Sequence, residues 1–216
     1  MRALVVAKAP VPGRVKTRLG ARIGFEAAAA VAAGALLDTL EVCSSTFADC
    51  HLALDGDLTD GARRDELRRS LAGWTVHPQR GDGLGERLAH AHRDAAADGR
   101  PGVTVQVGMD TPQLTRDHLR EVAETASAGR AVLGPARDGG WWVLALADPS
   151  AARGLTDVPM SRSDTFASTR AALVAAGQSV AVGPTLTDVD TVEDAEAVAT
   201  GLRGGHFLSA WRAVTS

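Results

Sequence analysis

Apolar runs of strand length alternate along this chain with longer, alanine-rich segments of helical period, and that rhythm constrains the fold more than any other feature. ALVVA (3–7) reads as a buried strand, and FEAAAAVAAGALLDTLEVCSS (25–45) as a long helix slightly weakened by Gly34. A strand at 50–56 precedes an amphipathic helix at 60–73 closed by Gly73. A short strand at 74–79 leads to a helix at 83–99 that Asp82 is placed to cap. A core-type strand at 102–108 and a helix at 115–129 follow. The rhythm then changes: 131–136 and 141–147 read as two strands joined by the turn RDGG. A helix at 163–177, a strand at 178–183 and a terminal helix from 191 complete the chain. Repeated strand–helix units predict an α/β fold in three α/β/α layers, with helices on both faces of a parallel sheet. The late hairpin makes that sheet mostly parallel but mixed. With 216 residues, no internal repeat and no long linker, one domain over 1–216 is expected.

Charge narrows the function classes. Twenty-three basic and 26 acidic side chains leave a net charge of −3, so neither nucleic acid nor a membrane is an expected partner. The apolar start MRALVVAKAP is too short for a signal peptide, and no later run suggests a membrane span, so a cytoplasmic location is expected. Cys43 and Cys50 fit no zinc spacing and read as small packing residues. The six histidines are scattered, and no nucleophile motif such as G-x-S-x-G is present.

In open α/β sheets, ligands bind beyond the carboxyl ends of the strands, so chemistry is sought just after each strand. After the first comes AKAPVPGRVKTRL (7–19), which holds Lys8, Arg14, Lys16 and Arg18 and no acid. Proline stiffens such a loop, and clustered cations repel unless an anion such as a phosphate chain neutralises them. The alternative is a solvated basic loop. A Walker A loop is excluded because Val15 stands where its second glycine belongs. RGDGLGER (80–87) fails as a dinucleotide fingerprint because Glu86 replaces the third glycine, although a close-approach loop remains open. Asp110 follows the central strand, where an acid either holds a divalent cation or accepts turn amides. Asp138 lies in an Asp-Gly pair that suits a hairpin turn. In DVDTVED (188–194), Thr191 and Asp194 resemble a capping box, whereas Asp188 and Asp190 place two negative charges side by side ahead of it. Cations for phosphate together with carboxylates for a metal are what nucleotide–Mg²⁺ chemistry requires.

Five segments, AKAPVPGRVKTRL, QRGDGLGERLAHA, VGMDTPQL, GPARDGGWWVLAL and DVDTVEDA, resemble in order the motifs of the DUF2064 family, also described as radical-SAM/selenodomain-associated transferase 1. That family is similar to the nucleotide-diphospho-sugar transferase (GT-A-like) superfamily and to MobA-like and phospholactate guanylyltransferase-like enzymes. The resemblance spans about residues 2 to 200. It implies that Lys8, Gly13, Arg14, Lys16 and Arg18 cradle nucleotide phosphates, with Lys16 and Asp110 catalytic. It implies Asp110, Asp188 and Asp190 as ligands of Mg²⁺ (or Mn²⁺). Gln79, Gly81 and Gly85 would lie on the nucleotide side. Glu86, Arg87, Asp138, Gly139, Gly140 and Trp141 would lie towards the acceptor. Trp141-Trp142 and Ala145 depart from the usual family pattern, which leaves metal binding untouched and bears on acceptor identity. Trp74 and Trp211 carry no motif and read as packing residues.

The expected activity is Mg²⁺-dependent transfer of NMP from an NTP to a small phosphorylated or acidic acceptor, with release of pyrophosphate. The alternatives are glycosyl transfer from a nucleotide sugar, which uses the same acids, and non-catalytic nucleotide binding.

Overall fold

The computed structural model describes residues 1–215. Its elements run β1 (Arg2–Lys8), α1 (Thr17–Ile23), α2 (Phe25–Ser44), β2 (Asp49–Asp55), α3 (Arg64–Ser70), β3 (Thr75–Pro78), α4 (Leu84–Ala95) and β4 (Thr104–Val107). They continue with α5 (Arg116–Ser127), β5 (Ala131–Pro135), β6 (Trp141–Leu146), α6 (Thr165–Ala175), β7 (Val180–Val182), α7 (Val192–Gly201) and α8 (His206–Thr215). Short 3-10 segments cover Leu58–Asp60 and Pro149–Leu155. Among the described residues the strands form one sheet in the order β3-β2-β1-β4-β6-β5-β7. All strands run parallel except β6, which is antiparallel to both β4 and β5.

Side-chain alternation along the strands builds the layers. On β1, Ala3, Val5 and Ala7 pack with Ala33, Leu36 and Leu40 of α2 and Leu119 of α5. Leu4 faces the other way, onto Ala91 and Ala95 of α4. Leu133, Leu144 and Leu146 of the late strands pack on Leu88, Leu155 and Leu173. Both faces are therefore covered, as a near-continuously apolar parallel sheet requires. Trp211 and Trp74 pack against apolar clusters, and Cys43 and Cys50 are buried free thiols, as the sequence suggested.

Several local expectations are corrected. Residues 17–23 form a helix where a continuous cationic loop was expected. The helix expected at 60–73 begins as a 3-10 turn and is α-helical only over Arg64–Ser70. Asp82 does not cap α4: Gly83 takes the cap position, and the Asp82 amide instead donates to Glu86 Oε2 at 3.0 Å. The terminal helix is two helices. By length and composition α2 is apolar enough to cross a membrane, contrary to the expectation that no run is, but most of it is buried inside the fold.

The start of α8 is fixed from a distance. Asp38 on α2 accepts the backbone N–H groups of His206 (2.7 Å) and Phe207 (2.9 Å), satisfying two of the orphan donors at the helix start. Burial raises the Asp38 carboxyl pKa although both bonds oppose the shift. Beside this cap, a Cβ on Gly34 would lie 2.7 Å from the His206 carbonyl oxygen and 2.9 Å from Phe207 Cα. Glycine therefore lets α2 and α8 touch backbone to backbone. Gly34→Ala should lower stability by about 1–3 kcal/mol through overpacking, despite the better helix propensity of alanine. A melting temperature at or above wild type would show that the contact has slack.

Candidate active site

A cavity of about 420 Å³ opens beyond the carboxyl ends of β1 and β4. Because β6 runs backwards, its first residue lies at this same end, so the β5–β6 turn reaches the cavity with Asp138, Gly140 and Trp141. Lys8, Gln79, Arg87, Asp110, Asp188 and Asp190 also line it. A second depression lined by Lys8, Val11, Arg14, Asp55 and Gly56 adjoins it, sharing Lys8 and Asp55.

Lys16 organises the acids. Its backbone is left-handed (φ 46°) immediately before α1, an uncommon state for a non-glycine residue. Neighbouring Val15 is buried and anchors the turn. The Lys16 side chain is only 8% exposed, and its Nζ donates to Asp110 Oδ2 at 2.7 Å and Asp190 Oδ1 at 2.5 Å. Burial by itself would lower the pKa of this ammonium, but the two carboxylates outweigh it and hold the lysine above its ordinary value. The first loop is therefore not a free cationic surface: its central charge is already neutralised by protein acids.

The third acid is held separately. Asp188 Oδ1 accepts a 2.7 Å hydrogen bond from Thr111, and the Val189 amide donates to the Asp110 carbonyl at 2.9 Å, tying the 188–190 segment to the end of β4. Burial, and then the charge of Asp110, push the Asp188 carboxyl up to about 7, against the Thr111 bond and Lys16. The capping box is present as expected: Thr191 accepts the Asp194 amide at 3.2 Å and Asp194 accepts the Thr191 amide at 2.9 Å. Asp188 and Asp190 are therefore not needed as caps.

Three carboxylates against one lysine leave uncompensated negative charge, and burial makes Asp188 more prone than an ordinary carboxyl to keep a proton. That all-oxygen donor set fits a hard divalent cation such as Mg²⁺ or Mn²⁺. A second acidic group, Asp38, Glu41 and His206, is close enough to gather an ion. Its Asp38 oxygens are committed to the start of α8, and His206 Nδ1 lies 2.8 Å from Arg63 Nη2, so its chemistry is that of a helix cap.

The other expected site residues divide. Gln79 uses its amide to tie the ends of β1 and β2, donating to the carbonyls of Ala7 (2.9 Å) and Ala53 (3.0 Å). Arg87 reaches Asp55 at 3.1 Å and the Gly81 carbonyl at 3.2 Å. Glu86 folds back onto the Asp82 amide. A Cβ on Gly85 would lie 2.2 Å from the Leu155 carbonyl oxygen, so this glycine has a packing reason of its own. Asp138 shows its turn chemistry by accepting the Gly140 amide at 2.8 Å, and it lines the cavity as well. The Gly139 carbonyl accepts the Phe166 amide at the start of α6. Gly13 and Arg18 are exposed and line neither depression. Sequence reasoning missed Asp55, which pairs with both Lys8 (3.8 Å) and Arg87. Its place at the end of β2 was the available signal. Thr111, inside the quoted VGMDTPQL, was also passed over.

Two outcomes follow from this electrostatic arrangement. Lys16→Met should destabilise the metal-free protein by on the order of 1–3 kcal/mol, since a charge-assisted bond to each of two half-exposed acids is lost. Millimolar Mg²⁺ or Mn²⁺ should restore more of the melting temperature in the variant than in wild type. An unchanged melting temperature would mean the bridge carries no weight. For Asp188 the folded pKa lies above its unfolded value. Its contribution to stability is therefore complete below about pH 4 and is lost as pH rises through about 7. Melts in EDTA should fall across that window in wild type and fall less in Asp188→Asn. Parallel pH profiles would show that the carboxyl is already ionised at low pH.

Comparison with known proteins identifies the fold and the family. A protein from Desulfovibrio desulfuricans G20, assigned as a nucleotide-diphospho-sugar transferase, is similar at 26% identity and a TM-score of 0.84, with 99% of this chain and 93% of that one covered. A protein from Mycobacterium tuberculosis H37Rv, solved with manganese, shares 20% identity at a TM-score of 0.55 over 93% of this chain and 99% of its own. A CMP:2-keto-3-deoxy-manno-octonic acid synthetase solved with CTP shares 14% identity at 0.53, covering 94% of this chain and 100% of that one. No curated protein sequence matches. The sequence profile of the family described as "Uncharacterized protein conserved in bacteria (DUF2064)" matches residues 38–162, more than half of the chain. The chain belongs to the DUF2064 family and has the nucleotide-diphospho-sugar transferase, GT-A-like fold.

Proposed function

We propose that this protein is a divalent-metal-dependent nucleotidyltransferase, moving NMP from an NTP to a small phosphorylated or acidic acceptor. The observation that carries the reading is the single lysine bridging Asp110 and Asp190, with Asp188 beside them, at the edge of a cavity of about 420 Å³. The transferase assignment of the Desulfovibrio neighbour and the CTP bound to the synthetase support a nucleotide donor.

Asp110, Asp188 and Asp190 would hold the metal, which when bound supplies neutralisation of phosphate charge. The base would lie over the second depression by Val11 and Gly56, and the phosphates would run past Lys8 towards Lys16. Lys16, exchanging its carboxylate partners for phosphate oxygens, would neutralise charge building on the α-phosphate. Arg14 would take the distal phosphates. The acceptor would sit in the first cavity, near Arg87, Asp138 and Trp141. One of its anionic oxygens forms the new bond to the α-phosphorus, and the bridging α–β bond breaks with its electron pair leaving on pyrophosphate. No proton needs to be removed from such an acceptor, in keeping with a cavity lined by no histidine. Catalysis is then positioning and charge neutralisation.

Incubation with each NTP and a panel of short phosphorylated and carboxylic acids should release pyrophosphate only when a divalent cation is present. Asp110→Asn should abolish release by a folded protein. Production of NDP or NMP from nucleotide sugars, with no pyrophosphate from any NTP, would replace this reading by glycosyl transfer. Full turnover by Asp110→Asn would remove Asp110 from the site.

A further inference from the structure

The cavity wall between β4 and α4 contains a polar pair that phosphate chemistry does not use. Gln106, in the middle of β4, is buried yet lines the cavity. Its Oε1 lies 3.0 Å from Nε2 of His92, a fully buried residue of α4. His92 Nδ1 is also buried and has no partner. The Gln106 amide nitrogen makes no other hydrogen bond among the described residues.

Only one assignment of this pair avoids a stranded donor. If His92 carries its proton on Nε2, it donates to Gln106 Oε1, and Nδ1 remains as a bare acceptor. If the amide is turned round and donates to a bare Nε2, the proton moves to Nδ1 and a buried N–H is left without a partner, the rarer defect in folded proteins. A charged imidazolium is disfavoured too, because burial pushes the His92 pKa down to about 4. The first arrangement leaves both amide N–H donors of Gln106 without a protein partner and free to meet a ligand.

We propose that Gln106 is a specificity-determining residue of the acceptor subsite, its amide donors turned into the cavity by His92 so that they take an oxygen of the acceptor. This rests on the nucleotidyl-transfer reading for the word acceptor, but the geometry of the pair does not. Leu84, Leu88, Trp141 and Met160 also line the cavity, so a molecule held there meets an apolar wall beside the charged Arg87, Asp138 and Arg162. Gln106 lies four residues before Asp110, at most roughly 13 Å of extended chain. The ligand class is therefore a short molecule whose attacking oxygen reaches the acids while a carboxylate, carbonyl or hydroxyl oxygen at its far end meets Gln106. His92 is a positioning residue.

Nitrogen NMR of the histidine-labelled free protein tests the pair directly. We expect Nε2 protonated, Nδ1 bare, and no titration from about pH 5.5 to 8.5; the opposite tautomer overturns the proposal. Titration with the acid panel should move the Gln106 side-chain amide together with the Trp141 indole. A panel member that shifts Trp141 and leaves Gln106 unmoved overturns it, as does a panel that moves neither. With an active acceptor, Gln106→Leu should raise its KM by about tenfold and leave the NTP KM within about twofold. His92→Phe should shift the acceptor KM in the same direction by less, with Gln106→Asn between wild type and Gln106→Leu. A shifted Gln106 amide without pyrophosphate release would end the nucleotidyl-transfer reading and leave this subsite standing.

Discussion

An ammonium group held between two carboxylates ties together three parts of the chain that share no local structure. Lys16 lies 94 residues from Asp110 and 174 from Asp190, yet its Nζ bonds both. The β1–α1 loop, the end of β4 and the entry to α7 therefore meet at one point, and the left-handed backbone at Lys16 is the local strain this meeting tolerates. The same contact sets a competition. On the proposed reading, a metal would need the acids that hold the lysine, and a phosphate chain would need the lysine that holds the acids. Each ligand thus lowers the cost of freeing the group that the other requires, a reciprocal coupling in binding free energy.

The reversed β6 supplies the other half of the site. In an all-parallel sheet, the chain after β5 would cross over and re-enter from the opposite end. Here a tight turn sends it straight back, so residues 138–141 are presented beside Asp110 and Asp188 rather than on the far edge. The turn is rigid for local reasons: the Asp138 carboxylate holds the Gly140 amide, and Gly139 is pinned to the start of α6. On the proposed reading, acceptor-side chemistry would therefore be mounted on a hairpin, and donor-side chemistry on parallel strand ends.

Much of this was legible in the sequence, because buried parallel strands are unbroken apolar runs and the covering helices carry a clear period. The order of layers, the hairpin and the Thr191–Asp194 box follow from such local signals. What was hidden depends on distant partners. TRLGARI has no capping side chain ahead of it, so the helix at 17–23 gives no start signal; the strained Lys16 turn, set by the acids, positions it. The break before α8 is likewise invisible, since its cap, Asp38, belongs to α2. Lys16 stood out in the sequence as a candidate phosphate-binding charge, but its burial and its two acidic partners did not. Gln106 looks like an ordinary polar residue in VTVQV until the sheet brings α4 and its buried histidine against it.

Both outer strands of the sheet are short. β3 spans Thr75–Pro78 and ends on a residue with no amide hydrogen, and β7 spans only Val180–Val182. Val76 and Val182 are exposed at these borders, apolar side chains that on a longer strand would invite a neighbouring chain to continue the ladder. With so few free backbone groups in line, neither border offers the six- or seven-residue template from which cross-β stacking grows. An interior as rich in apolar strands as this one is thereby closed to runaway self-association by the brevity of its margins.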